Sequence, residues 1–259
     1  MIEQPQLFRL KIKDEIVLYD STQILGLIAT GYTENPFTWF SNNDNFVLLG
    51  ATHKTIPGPT SGLIMTNNLE LAKKFDIKIN PDYLRNVQLD NIVSLLFSLL
   101  ELECFGKEYF GVMKRLINTV AQDLNDNKIE IIKTRDCVYS RTHQLWLFLN
   151  TINLDVFEKN AILSDVSLNI RKRRIYNYKG VRLGFQQIAR YNWNEKDAHI
   201  ISKIILQLCN EVCVHDFIRE LLNELSPKKV HFTFDNVTLK KVFDVLHNGN
   251  MEQLYPFGT

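Results

Sequence analysis

The sequence predicts an α/β unit followed by an α+β unit, and three observations carry that reading. Within the first 65 residues the apolar side chains come in runs of four, IVLY at 16–19, FVLL at 46–49 and GLIM at 62–65, which have the length and density of buried strands. Beyond Pro81 the apolar residues fall at helical spacing through 89–103 and again through 109–124, with Gly106 between the two stretches. From Ile129 onward the two patterns mix. Strands are expected at 129–132, 144–149, 166–170 and 230–234, and helices at 156–163, 195–208, 214–225 and 237–246. If 16–19 is a central parallel strand, the few residues before it leave little to lie beside it, and an unpaired apolar strand edge is an association site.

Composition excludes more than it selects. A chain of 259 residues with 45% hydrophobic residues and 16 Phe can bury a core and is not disordered. Thirty basic against 29 acidic residues leave a net charge of +1, so no global field advertises a nucleic-acid or membrane partner. No apolar run approaches the roughly 20 residues that span a bilayer, and the first fifteen residues lack a signal-peptide apolar region, so a cytoplasmic location is expected. Four cysteines in a chain of this length point to reduced thiols. No repeat or Pro/Ser-rich linker interrupts the sequence.

The stretch richest in chemistry is GATHKTIPGPTSGLIM, residues 50–65. Lys54 follows a strand, is flanked by the hydroxyls of Thr52 and Thr55, and precedes a Pro/Gly turn that leads into the next strand. A lysine held rigidly in that way is a usable amine for imine formation; the plainer reading is an ordinary surface hairpin. The wording itself is specific. Thr52-His53-Lys54-Thr55, then Gly58-Pro59 and Gly62, resembles the cofactor-lysine segment of serine hydroxymethyltransferase, Thr-Thr-His-Lys-Thr followed by Gly-Pro-Arg-Gly-Gly, although Thr60 and Ser61 alter the turn.

Other segments keep step with that family in the same order. VLYDSTQILGLIATG at 17–31 resembles its strand ending in Asp, then Met-Ala-His-Val-Ala-Gly-Leu, with Asp20 at the aspartate and Gln23 at the histidine. By itself an Asp after a strand reads as a helix N-cap. INPDYLRNVQLDN at 79–91 follows the family's Ile-Asn and Gln-Gly-Gly-Pro loop, with Leu89 and Asp90 in place of the two glycines. SRTHQLWLFL at 140–149 resembles the Thr-Asp-Asn-His-Leu strand, which places His143 at the histidine. GVRLG at 180–184 resembles Gly-Ile-Arg-Leu-Gly-Thr-Pro-Ala, which places Arg182 at the arginine and Phe185, Gln186 and Gln187 at Thr-Pro-Ala.

The resemblance implies the C-terminal half of a fold-type I pyridoxal-phosphate enzyme: residues 1–105 as the C-terminal part of the cofactor-binding large domain, with a mostly parallel sheet, and residues 106–259 as the α+β domain that is the small C-terminal domain of the family. It implies that Lys54 binds pyridoxal 5'-phosphate covalently, and that Asp20 keeps the pyridine nitrogen protonated so that the ring is an electron sink. Gln23, His53 and Thr52 would support the cofactor, and Arg182, with His143, would serve the amino-acid substrate. The family's N-terminal half has no counterpart in the chain, so a separate polypeptide is expected to supply it, within a hetero-oligomer such as a dimer of heterodimers. The expected reaction makes or breaks a bond at the α-carbon of a glycine-, serine- or threonine-like amino acid. A different class also fits: a non-catalytic, degenerate half-enzyme that supports an active homologue, favoured by Asp90 where a phosphate would meet a carboxylate.

The run RKRRIYNYKG at 171–180 interleaves cations with two tyrosines, a pattern compatible with nucleic acid, yet it reads first as a solvated loop. In the family a longer segment there helps to form a folate pocket, so tetrahydrofolate is not expected. Cys209, Cys213 and His215 lie close in sequence, but no second cluster completes four ligands and no metal site is expected.

Overall fold

The computed structural model describes residues 2–7, 15–41, 45–86, 88–150, 152–173 and 178–249, with the backbone alone at 171–173 and 178. Its elements run β1 (Val17–Asp20), α1 (Leu25–Ala29), α2 (Pro36–Trp39), β2 (Phe46–Ala51), β3 (Gly62–Met65), α3 (Leu69–Ile77), a π-helical stretch (Lys78–Tyr83) and α4 (Leu89–Asp126). They continue with β4 (Glu130–Ile131), β5 (Gln144–Phe148), α5 (Leu154–Leu163), β6 (Asn169–Arg173), β7 (Tyr178–Gly184), α6 (Gln186–Arg190), α7 (Glu195–Leu208), α8 (His215–Glu224) and α9 (Asn236–His247). The described residues pack as two units: those of 4–108 with 232–249, and those of 109–231 with 2–3.

The first unit is built on a three-stranded sheet in the order β1-β2-β3. β1 and β2 are parallel, with Asp20 opposite Leu49, and β3 runs antiparallel to β2. The mostly parallel sheet expected of this part of the chain is therefore mixed over the three strands seen, because the Pro/Gly turn after β2 sends the chain straight back as a hairpin. β1 alternates: Val17 and Tyr19 are buried while Ile16 and Leu18 are 67% and 62% exposed. A run that reads as buried throughout is thus buried on one face only. On that face Phe46 stacks on Phe40 with centroids 4.8 Å apart and meets the edge of Phe37 at 5.0 Å. Each such pair adds about 0.5–1.5 kcal/mol beyond its buried area.

Gly106 does not break a helix. Residues 89–126 form one 38-residue helix, and a Cβ on Gly106 would come within 2.4 Å of Thr30 Cγ2. The glycine permits close packing against the end of α1. The strand expected at 230–234 is also absent: Thr233 and the Phe234 amide both donate to the Glu101 carboxylate, and Phe232 has φ +57°. A side chain thus takes the Phe234 amide, a backbone donor that a neighbouring strand would have paired. α3 went unanticipated because its side chains are all at least partly exposed and show little apolar periodicity; its start is marked by Asn68, whose side chain accepts from Leu71 N.

The second unit carries a four-stranded antiparallel sheet in the order β4-β5-β7-β6. Leu145, Leu147, Val181 and Leu183 form its buried face. α7 begins in a capping box: Asn194 Oδ1 accepts from Lys196 N at 2.8 Å, and Asp197 Oδ2 accepts from Asn194 N at 2.9 Å. Its sequence signature, Asn-Glu-Lys-Asp, explains why the expected and observed bounds of this helix coincide. No helix among the described residues is long and apolar enough to cross a membrane.

All four cysteines carry free thiols, and their surroundings differ. Burial pushes the Cys209 thiol up to about 12, whereas Cys137 is exposed. Because the thiolate is the nucleophile, brief alkylation of the native protein at pH 8 followed by peptide mapping should label Cys137 first. Cys209 should react only after denaturation. Ser164 Oγ lies 2.8 Å from His215 Nδ1, so two neighbouring protein groups satisfy each other there. Among the described residues no group of three or more His, Cys, Asp or Glu is placed to hold a metal ion.

Candidate functional site

Two adjacent parallel strands end at the same edge, and in open α/β sheets ligands bind outside the carboxyl ends of the strands. Asp20 is the last residue of β1 and is exposed. Its Oδ1 accepts from Thr22 N at 2.9 Å, a local turn that holds the carboxylate at the strand end. Ser21 donates from both its amide and its hydroxyl to Leu49 O, each at 2.7 Å, and so straps the turn to β2. Gln23 is half-buried in the same turn. Beside Asp20 opens a cleft of about 1060 Å³ whose walls include Thr22, Leu49, Ile64, Phe75 and Leu84.

Lys54 lies three residues beyond the end of β2, half-buried on a turn that is tightly held. Thr52 and Thr55 are fully buried. Thr52 Oγ1 donates to Pro59 O at 2.6 Å, its amide donates to Ser61 O at 3.0 Å, and its carbonyl accepts from Gly58 N at 3.1 Å. Thr55 Oγ1 accepts from Gly26 N at 2.9 Å, which joins the lysine turn to the segment that follows Asp20. The Nδ1 of the neighbouring His53 is buried and has no hydrogen-bond partner among the described residues. Such an atom marks a place where an absent polar group is wanted.

Gly26 was not singled out by the sequence reading, although a glycine inside an apolar helical segment signals close backbone approach. A Cβ there would stand 2.5 Å from Thr55 O and 2.7 Å from Thr55 C, both backbone atoms. Gly26→Ala should therefore cost about 1–3 kcal/mol as an overpacking substitution, read as a lower urea midpoint with unchanged slope. Gly111→Ala is the counterpart in α4: the nearest atom to its Cβ would be Arg115 Nη1 at 3.7 Å, so the same change should be neutral or stabilising.

The remaining candidates lie in the second unit. Arg182, half-buried on β7, stands directly opposite Trp146 of β5. His143 is buried just before β5, and its carbonyl accepts from Phe185 N at 2.9 Å, a joint between the start of β5 and the end of β7. Lys54, Asp20, Gln23, His53 and Thr52 therefore gather in one unit, and Arg182 and His143 in the other. Leu89 and Asp90 form the exposed first turn of α4 in the first unit, with Leu89 68% exposed. Of the basic run, residues 174–177 lie outside the described residues, and the rest forms β6 and β7 instead of the expected loop.

No protein-family model matches the chain. It is similar to curated serine hydroxymethyltransferases: 28% identical over 236 residues to that of Sulfolobus acidocaldarius, covering 87% of this chain and 53% of that protein. It is 27% identical over 241 residues to that of Methanothermobacter marburgensis (89% and 54%) and 29% identical over 203 residues to that of Staphylothermus marinus (73% and 44%). The chain thus spans about half the length of the curated relatives it matches. Among solved structures it shares the fold of L-threonine transaldolase from Pseudomonas fluorescens, determined in the internal aldimine state. The TM-score is 0.71 at 22% identity, over 88% of this chain and 53% of that one. The chain is thus serine hydroxymethyltransferase-like in sequence and carries about half of a fold-type I architecture.

Proposed function

We propose that this chain is the C-terminal subunit of a split, serine hydroxymethyltransferase-like pyridoxal-phosphate enzyme. Its reaction would be an aldol, retro-aldol or hydroxymethyl transfer at the α-carbon of a glycine-, serine- or threonine-like amino acid. The supporting observation is that Asp20 and Lys54 follow the carboxyl ends of two paired parallel strands on turns tied together through Gly26 and Thr55. The residues present suit the ring of the cofactor: a carboxylate fixed at a strand end, an amine on a rigid turn, and a buried imidazole nitrogen with no partner among the described residues. When bound, pyridoxal phosphate supplies an electron sink for negative charge at the α-carbon.

Each residue then has a definite task. Lys54 holds the cofactor covalently. Asp20 would hold a proton at the pyridine nitrogen, Gln23 and His53 would support the cofactor, and Thr52 fixes the loop that carries the lysine. Arg182 clamps the substrate carboxylate with a planar pair of donors. A separate polypeptide covers the open face of β1 and completes the sheet.

The alternative reading, a non-catalytic partner of an active homologue, is favoured by one observation. The first turn of α4 presents Asp90, whose negative charge disfavours a phosphate at that helix start. Substrate binding separates the two. A charge-assisted contact is worth roughly 1.5–3 kcal/mol, so Arg182→Ala should weaken glycine and L-serine binding by the assembled, cofactor-loaded protein about ten- to a hundredfold. Arg182→Lys should restore part of it. Lys179→Ala, exposed on the same strand, is the control and should change little. Equal effects of Arg182→Ala and Lys179→Ala, measured by spectral titration, would remove the α-amino-acid assignment.

A further inference from the structure

Strand alternation places Arg182 and Gly184 on one face of β7, opposite Trp146 and Gln144 of β5, while Leu145, Leu147, Val181 and Leu183 face the core. On the polar face Gln144 Oε1 accepts from Trp146 Nε1 at 3.1 Å, and Gln144 Nε2 lies 3.2 Å from His143 Nε2. The next side chain on that face comes from outside the strand. Gln186, the first residue of α6, folds back so that its amide occupies the space over Gly184, where a Cβ would stand 2.7 Å from Oε1 and 3.4 Å from Nε2.

The backbone around Gln186 is pinned. Tyr109, itself buried, donates from its hydroxyl to Gln186 O at 2.9 Å, and Phe185 N donates to His143 O at 2.9 Å. Yet Gln186 Oε1 is buried with no hydrogen-bond partner among the described residues. An unsatisfied buried acceptor is destabilising, and one that persists in a well-fixed position calls for a donor that arrives later. Arg182 and Gly184 lie two residues apart on one strand, about 6.6–6.8 Å by strand rise. A small molecule held by its carboxylate at Arg182 can bring a donor to Gln186.

We infer that Gln186 is a specificity-determining residue that accepts a hydrogen bond from the side-chain hydroxyl of the amino acid whose carboxylate Arg182 holds. The inference rests on the proposed role of Arg182. It favours hydroxylated amino acids over glycine or L-alanine, whose side chains offer no donor.

Gln186→Met tests it, because the substitution keeps an unbranched chain of the same length and removes the acceptor. Binding of glycine, L-alanine and L-serine to the assembled, cofactor-loaded protein is compared for the wild type, Gln186→Met and Arg182→Ala. In Gln186→Met, L-serine should bind about three- to tenfold more weakly while glycine and L-alanine are unaffected, the loss expected for one neutral hydrogen bond. The unliganded variant should also show a urea midpoint no lower than the wild type, since an unsatisfied acceptor has been replaced by an apolar group. Equal weakening of all three ligands, no weakening of L-serine, or a clearly lower midpoint overturns the inference and leaves Gln186 a structural residue. If Arg182→Ala changes none of the three affinities, it is the amino-acid reading of the site that fails; if Arg182→Ala weakens all three and Gln186→Met none, only the role of Gln186 fails.

Discussion

Lys54→Ala should abolish covalent attachment of pyridoxal phosphate completely, with no residual labelling at other lysines. The wild-type chain, assembled and loaded, should be yellow, and borohydride reduction followed by peptide mapping should place the cofactor on the peptide that contains Lys54. The effect is all or none because one amine makes the bond, whereas the surrounding contacts only orient it. The fold should survive: Lys54 is half-buried, and the turn is held by Thr52, Thr55 and Gly58 through hydrogen bonds that do not involve its side chain. Lys54→Arg is the informative companion. It keeps the positive charge and should lose the attachment just as fully, which separates covalent chemistry from simple attraction of a phosphate. Labelling at a different lysine, or none in a complete assembly, would falsify the catalytic assignment and leave the supporting-subunit reading.

The second large effect concerns the open face of the first unit. Ile16 just before β1 and Leu18 on it are exposed, Ile64 is 42% exposed on β3, and among the described residues β1 pairs with β2 alone. An apolar strand edge of this kind invites association. The chain expressed alone should self-associate, and co-expression with the polypeptide that completes the sheet should yield a defined complex burying more than about 2,000 Å², the range of obligate interfaces. Leu18→Glu is the direct probe. The side chain is solvent-facing in this chain, so the variant should retain its helix and strand content, yet a charge buried in the completed sheet should weaken assembly by about 2 kcal/mol or more, roughly thirtyfold. Size-exclusion chromatography with light scattering reads both results. A monodisperse, cooperatively unfolding monomer of the unmodified chain would count against the split arrangement.

Legibility differed by the kind of signal. Lys54, Asp20 and Arg182 stood out as candidates because each sits in a short ordered motif, and motif order survives when overall identity is low. α7 was readable to its ends because its capping box is written in four consecutive residues. Gly106 misled, since a glycine within a helical pattern signals either a break or a close approach, and only the position of Thr30 tells which. The run at 230–234 misled for a related reason: a strand needs a neighbour, and here Glu101, more than a hundred residues away, takes the Thr233 hydroxyl and the Phe234 amide instead. Gln186 was legible only as a departure from the family's Thr-Pro-Ala segment, because its further significance depends on the space over Gly184.

By itself the sequence determined the order of most strands and longer helices and of the chemical groups, and through the lysine segment the family likeness and the expected cofactor. These are local properties, set by side-chain periodicity and by motifs a few residues long. Only the tertiary structure decided which strand pairs are parallel, that β1 is buried on one face and open on the other, and that Gly26 and Thr55 fasten the turn after Asp20 to the turn bearing Lys54. The same holds for two buried atoms without partners among the described residues, His53 Nδ1 and Gln186 Oε1. Pairing direction, burial and hydrogen-bond satisfaction are relations between residues distant in the chain, fixed by packing and absent from any window of sequence.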